Sequence, residues 1–150
     1  MAILLHNLLA RAPKLQDADA VTRLLKECDI VEDGVSHYAE EDLLADWRRP
    51  GFNLATDAKV IITSKGQLVG YAGVWHSQHG RIEMKARVHP DYRGRGIGTL
   101  LLRLAEVRAR QYTKCAPPEV RVAVYNTVNS TNQAAKTLLE HEGYSPVGHF

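Results

Sequence analysis

The sequence predicts one α/β (α+β) domain spanning residues 1–150. Three observations carry this. At 150 residues the chain is close to the commonest size of a single domain and buries roughly 70% of its unfolded surface in one core. Its periodicities run strand, helices, strands, helix, strand, helix, strand, without repeats or low-complexity linkers. A stretch with three alternating glycines, HPDYRGRGIGTLLLRLAE at 89–106, stands between a strand pattern and a helix pattern.

Taken in order, 3–13 (ILLHNLLARAP) reads as a first strand. Asp17 or Asp19 then caps a helix through AVTRLLKEC, with Val21, Leu24, Leu25 and Cys28 on its apolar stripe. From Glu40 to Trp47 a second helix sets Leu43, Leu44 and Trp47 on one face among acids. AKVIITS and QLVGYAGVWH, joined by Lys65-Gly66, read as an antiparallel hairpin, followed by a turn at SQHG. RIEMKARV (81–88) alternates for a whole strand, with Ile82, Met84, Ala86 and Val88 on one face. Pro90 ends ladder pairing, and from about Gly98 the spacing of Leu101, Leu102 and Ala105 is helical.

The glycines therefore occupy a strand-to-helix loop. Free N–H groups and partial positive charge at a helix start form an anion site, and glycines let phosphate oxygens approach without a Cβ in the way. Arg93 and Arg95 add charge-assisted donors. A plain turn needs one or two glycines, not three flanked by arginines. The spacing is not GxxxxGK[ST], and GxGxG in mid-chain after an antiparallel strand does not fit a dinucleotide fingerprint.

Composition narrows the classes. Hydrophobic residues at 45% and charged ones at 24% describe an ordinary globular chain. No apolar run approaches the ~20 residues needed to span a bilayer. The opening MAILLHNLLARAP lacks the basic region and cleavage site of a signal peptide, so a cytoplasmic protein is expected. Cys28 and Cys115 have neither zinc-ligand spacing nor a disulfide framework and read as buried, reduced thiols; no metal is expected. Residues 27–46 carry eight acids and no Lys or Arg, whereas 81–121 carry ten Lys/Arg against four acids. The acidic run reads either as a solvated helix face or as a lure for a cationic ligand. A small net charge of +2 without interleaved aromatics disfavours nucleic acid.

The motif Arg93-Gly94-Arg95-Gly96-Ile97-Gly98 resembles the [QR]-x-x-G-x-[GA] signature of the GNAT superfamily of acyl-CoA-dependent N-acyltransferases, and Val88-His89-Pro90 precedes it as usual there. ARAPKLQDADAVTRLL resembles the family's first strand and helix, and NQAAKTLLEHEGY its last helix. The resemblance implies a mixed, mostly antiparallel sheet with helices on both faces, splayed between its fourth and fifth strands, so that Val120 to Tyr125 lie opposite Arg81 to Val88. It implies acetyl-CoA as the acyl donor and the primary amine of a small molecule or peptide as the acceptor. On it, the amides of Arg95, Gly96, Gly98 and Thr99 hold the coenzyme's diphosphate, Arg93 and Gly94 complete the cradle, the backbone near Arg87 and Val88 holds the pantetheine arm, and Asn132 bonds that arm or simply begins the last helix.

Catalysis in such a family is direct attack of a bound amine on the thioester, assisted by a base and an acid. Glu83 is the carboxylate on the fourth strand and the candidate base, although a cross-strand ion pair accounts for it equally well. His76, His79 and His89 read as solvent-exposed. In Asn-x-x-Ala-x-x-x-Tyr-x-x-x-Gly this chain has Asn132, Ala135, Leu139 and Gly143, so leucine replaces the tyrosine that protonates the thiolate. Tyr125, at the end of the fifth strand, is the substitute donor or a rim aromatic, and Tyr144 is core. The chain also stops at GYSPVGHF, where the family continues into a seventh strand. That ending resembles the first half of tandem GNAT proteins, implying a domain from a longer chain, or a homodimer that exchanges strands. Loss of the acid leaves a second reading open, a catalytically weak or silent acyl-CoA-binding domain that supports a partner domain.

Overall fold

The computed structural model describes residues 3–5, 7–76, 81–114, 123–126 and 132–145. Its six described strands form one sheet in chain order: β1 (Ile3–Leu5), β2 (Leu8–Arg11), β3 (Ala58–Thr63), β4 (Leu68–His76), β5 (Arg81–Val88) and β6 (Ala123–Asn126). The single strand expected over 3–13 is instead a hairpin. Asn7 turns it with φ at +65°, a left-handed conformation that asparagine tolerates, and β1 folds back on β2. Every neighbouring pair is antiparallel except β5 and β6, which run parallel.

The parallel ladder is short. Arg81 to Met84 pair with Ala123 to Asn126, and Lys85 to Val88 continue beyond the last pair. Among the described residues the pairing goes no further. Of the expected fifth strand, residues 120–122 lie outside the described residues.

Helices cover both faces. α1 (Ala18–Asp33) and α2 (Glu40–Trp47) lie on one side, where Val21, Leu24, Leu25, Leu43 and Trp47 pack with Val60 and Tyr71 of the sheet. Trp47 Nε1 donates to the buried Tyr71 hydroxyl at 3.0 Å and pins α2 to β4. α3 (Leu54–Asp57), a single turn the periodicity did not announce, leads into β3. On the other face α4 (Ile97–Lys114) buries Ile97, Leu101, Leu102, Ala105 and Ala109 against Ile61, Val74, Ile82 and Met84, and Leu138, Leu139 and Tyr144 of α5 (Gln133–His141) and its C-terminal flank extend that layer. Each fully buried Leu, Ile, Val or Met among them contributes about 1.5–3 kcal/mol. The alternation read in RIEMKARV is real, with Ile82 and Met84 almost wholly buried.

Two local expectations are corrected. Asp17 holds the N-cap position of α1, but its side chain makes no cap bond there: it closes the preceding 3₁₀ turn, accepting from Lys14 N at 2.7 Å and pairing with Arg11 at 2.8 Å. Asp19 lies inside α1 and pairs with Arg23. The SQHG turn, His79, Cys115 and the segment expected to lack a seventh strand (146–150) fall outside the described residues.

Candidate active site

Beyond the last described β5–β6 pair lies a cleft of about 260 Å³, walled by Ala86 to Val88 on one side, by Leu138 and Leu139 of α5 on another, and by the glycine loop at its end. The loop owes its shape to the glycines. Gly94 and Gly96 have φ of +79° and +84°, where a Cβ is strained, and a Cβ built at either meets nothing within 4 Å. That open space, next to backbone N–H groups, is what an anion needs. α4 starts immediately after it, and Leu100 N–H closes the first turn on Gly96 O at 3.1 Å. The earlier amides have no intrahelical acceptor, and with the helix dipole they present positive charge to the cleft. The residues present fit a diphosphate.

Of the residues singled out in the sequence, Arg87, Val88, Arg93, Gly94, Gly96, Gly98, Thr99 and Asn132 all line this cleft. Three others are elsewhere. Arg95 lies over the Tyr92 ring at 4.9 Å, so its side chain is turned to the loop's own aromatic. Glu83 pairs with Arg81 at 3.2 Å and Arg49 at 3.5 Å and is not among the cleft residues. Tyr125 stands opposite Glu83 in the ladder with the Arg81 guanidinium over its ring at 4.2 Å.

The structure adds residues the sequence reading passed over. The Glu32 side chain is only 6% exposed and lines the cleft. Its Oε1 accepts from Arg93 Nη2 at 3.1 Å and from Asn132 Nδ2 at 2.6 Å, so one carboxylate ties α1 to the glycine loop and to the start of α5. The signal was legible: Glu32 continues the stripe Val21, Leu25, Cys28, where an apolar residue belongs. Asn132 also caps α5, its Oδ1 accepting from Ala135 N at 3.1 Å. Asn126, the last residue of β6, lines the cleft too.

Several acids of 27–46 are spent on structure. Glu27 pairs with His89, Asp29 accepts from Ser36 at 2.9 Å, and Asp42 accepts from Ala39 N at 2.8 Å. His89 is accordingly enclosed rather than exposed, and its Nδ1 accepts from Asp91 N at 3.1 Å. On the α1–α2 face of β5, the Lys85 ammonium lies over the Tyr38 ring at 4.8 Å, and burial, with Arg87 nearby, lowers its pKa. Burial raises the carboxyl pKa of Asp46 and the thiol pKa of Cys28, whose Sγ donates to Val88 O at 3.3 Å. Burial pushes the Tyr144 hydroxyl up to about 12, and it donates to Glu106 Oε1 at 3.1 Å. No group of three or more His, Cys, Asp or Glu able to hold a metal occurs among the described residues, and no described helix is long and apolar enough to cross a membrane.

A family model for the acetyltransferase (GNAT) domain matches residues 56–146. Among solved structures, a GCN5-related N-acetyltransferase from Sphaerobacter thermophilus is 30% identical with a TM-score of 0.87, covering 97% of this chain and 45% of its own. The chain thus spans less than half of that relative. The yncA acetyltransferase structure from Salmonella typhimurium, with its cofactor acetyl-CoA, is 20% identical with a TM-score of 0.73, covering 95% of this chain and 82% of its own. The ribosomal-protein-S18-alanine N-acetyltransferase of Escherichia coli is 17% identical with a TM-score of 0.67, covering 94% of this chain and 79% of its own. No curated protein matches the chain.

Proposed function

This chain belongs to the GNAT acetyltransferase family, whose cofactor is acetyl-CoA, and from that premise we propose that it transfers an acetyl group to the primary amine of a small molecule or peptide. The observation that carries the reading is the bare glycine loop at the start of α4, opening into a cleft lined by Ala86 to Val88 of β5. Acetyl-CoA, when bound, supplies an activated thioester. The amides of Arg95, Gly96, Gly98 and Thr99 would hold its diphosphate, with Arg93 and Gly94 completing the cradle. The β5 backbone at Arg87 and Val88 and the side chain of Asn132 would hold the pantetheine arm. Leu102, Leu138 and Leu139 line the same cleft and keep water from it.

Holding the donor and the amine together supplies most of the rate, since aligned intramolecular reactions gain about 7–11 kcal/mol from orientation. Glu83 is the proposed proton acceptor for the amine and Tyr125 the proposed donor on the opposite strand. A second reading keeps the domain as a weak or silent acyl-CoA binder beside a partner domain or a second copy, and the leucine at 139 favours it. One assay separates the two. Thiol release from acetyl-CoA is followed over polyamines, amino acids, aminoglycosides and peptide N-termini: release with any of them supports transfer, whereas thermal stabilisation by the coenzyme without release from any amine leaves only binding.

A further inference from the structure

Among the described residues, the cleft holds a buried donor with no acceptor. Asn126, the last described residue of β6, pairs with Met84 of β5 and lines the cleft. Its Nδ2 is shielded from solvent and makes no hydrogen bond. The Tyr144 hydroxyl is near enough for the Asn126 amide to act on it as a weak donor, but it gives its own proton to Glu106 Oε1 at 3.1 Å, and no hydrogen bond of good geometry joins it to Nδ2. Buried amide N–H groups are rarely left so, and one facing a ligand cleft points to an acceptor that arrives with the ligand.

Position says which part of the ligand. Val88, next to the glycine loop, lies four residues along β5 from Met84, roughly 13 Å at strand rise. The cleft therefore runs from the diphosphate cradle towards Asn126, with Leu102, Leu138 and Leu139 as its apolar lining. Asn132, the other side-chain amide there, already spends its Nδ2 on Glu32. We propose that Asn126 Nδ2 donates a hydrogen bond to the sulfur of coenzyme A and stabilises it as a thiolate, at the place where Leu139 has nothing to donate. This rests on the acyltransferase reading above.

The step balances with the thiolate as the leaving group, before any proton arrives from Tyr125. The amine nitrogen's lone pair forms the C–N bond to the acetyl carbon. The C–S pair then passes to sulfur, and the amine's surplus proton goes to the base or to water. Asn126 keeps its protons and only lowers the energy of the developing negative charge, as a preorganised donor in a dry site does.

Binding tests this without turnover. Calorimetric affinities for coenzyme A and desulfo-coenzyme A are measured above and below the thiol's ionisation for the wild type, Asn126→Ala and the near-isosteric Asn126→Asp, after thermal melts establish folding. Asn126→Ala should weaken coenzyme A about tenfold or more at the alkaline pH, the scale of a hydrogen bond to a charged group, while changing desulfo-coenzyme A less than twofold. Asn126→Asp should weaken it further by repulsion, and serves alone if the alanine variant does not fold. In the Asn126→Ala background, Leu139→Tyr should recover turnover by offering a new donor. Equal losses for the two ligands would make Asn126 structural, and unchanged affinity for coenzyme A would remove its role altogether. A wild type that binds neither ligand would overturn the acyltransferase reading as well.

Discussion

Asp57 gives the sharpest test of how this fold holds its site in place. Its side chain is 0% exposed and collects three short hydrogen bonds: Arg108 Nε and the Tyr112 hydroxyl each donate to Oδ1 at 2.6 Å, and Asn53 N donates to Oδ2 at 2.8 Å. α3 is thereby clamped to the fourth turn of the helix whose first turn carries the glycine loop. Breaking such a pair from one side typically costs about 3–5 kcal/mol, because the remaining charge is stranded. The two sides differ here. The guanidinium is 28% exposed and keeps Gln111 at 2.7 Å, so it rehydrates when Asp57 is removed, whereas the carboxylate has no route to water when Arg108 is removed. Asp57→Ala should therefore cost about 3 kcal/mol and Arg108→Met about 4–5. At about 2.1 cal/mol/K per residue, unfolding 150 residues has an entropy of roughly 0.3 kcal/mol/K, so the melting points should fall by roughly 10 and 15 °C. The double variant should be less destabilised than the sum, through the shared interaction. Coenzyme affinity well below the melt should change less than threefold, since Gly98 is ten residues, about 15 Å, along the helix. Thermal and urea unfolding supply the numbers. A cost below about 1 kcal/mol for Asp57→Ala, or strict additivity in the double variant, would refute the clamp.

Three further outcomes are expected. Gly96→Ala introduces only strain at φ +84°, about 1–2 kcal/mol of stability, while Gly96→Asp adds a negative charge to the anion site; the aspartate should weaken coenzyme A at least tenfold beyond the alanine, and equal affinities would count against a diphosphate in that loop. Glu83→Gln should lower kcat by about a hundredfold with coenzyme affinity intact if it takes the amine's proton, whereas a change of less than threefold would leave it only its ion pairs with Arg49 and Arg81. The Asp17 carboxyl, whose pKa is lowered chiefly by the hydrogen bond from Arg11, contributes stability that is present above its unfolded pKa of about 3.9 and lost as pH falls through its lower folded value. The stability gap between wild type and Asp17→Asn should accordingly close below about pH 4, and a gap that persists at pH 2 would remove the pair as its source.

The sequence by itself determined the elements and the glycine loop. Period-two alternation in RIEMKARV, the apolar spacing of α1, α2 and α4, and three alternating glycines after Pro90 are local properties, set by sterics and by which side of an element must be buried. Eight of the eleven residues singled out from it reach one cleft, seven of them because strand, loop and helix follow one another directly in the chain. Where the signal depended on partners distant in sequence, only the tertiary structure decided. Glu32 stands out in the sequence only as an acid on the apolar stripe of α1, and its partners Arg93, 61 residues away, and Asn132, 100 residues away, come from the fold. Asp57 is an unremarkable residue before a strand until α4 delivers Arg108 and Tyr112 to it. Asn126 becomes notable only once it is seen to line the cleft with its buried amide left, among the described residues, without an acceptor. A buried charge or donor is defined by its neighbours and by the water it has lost, and neither is written in the residues beside it.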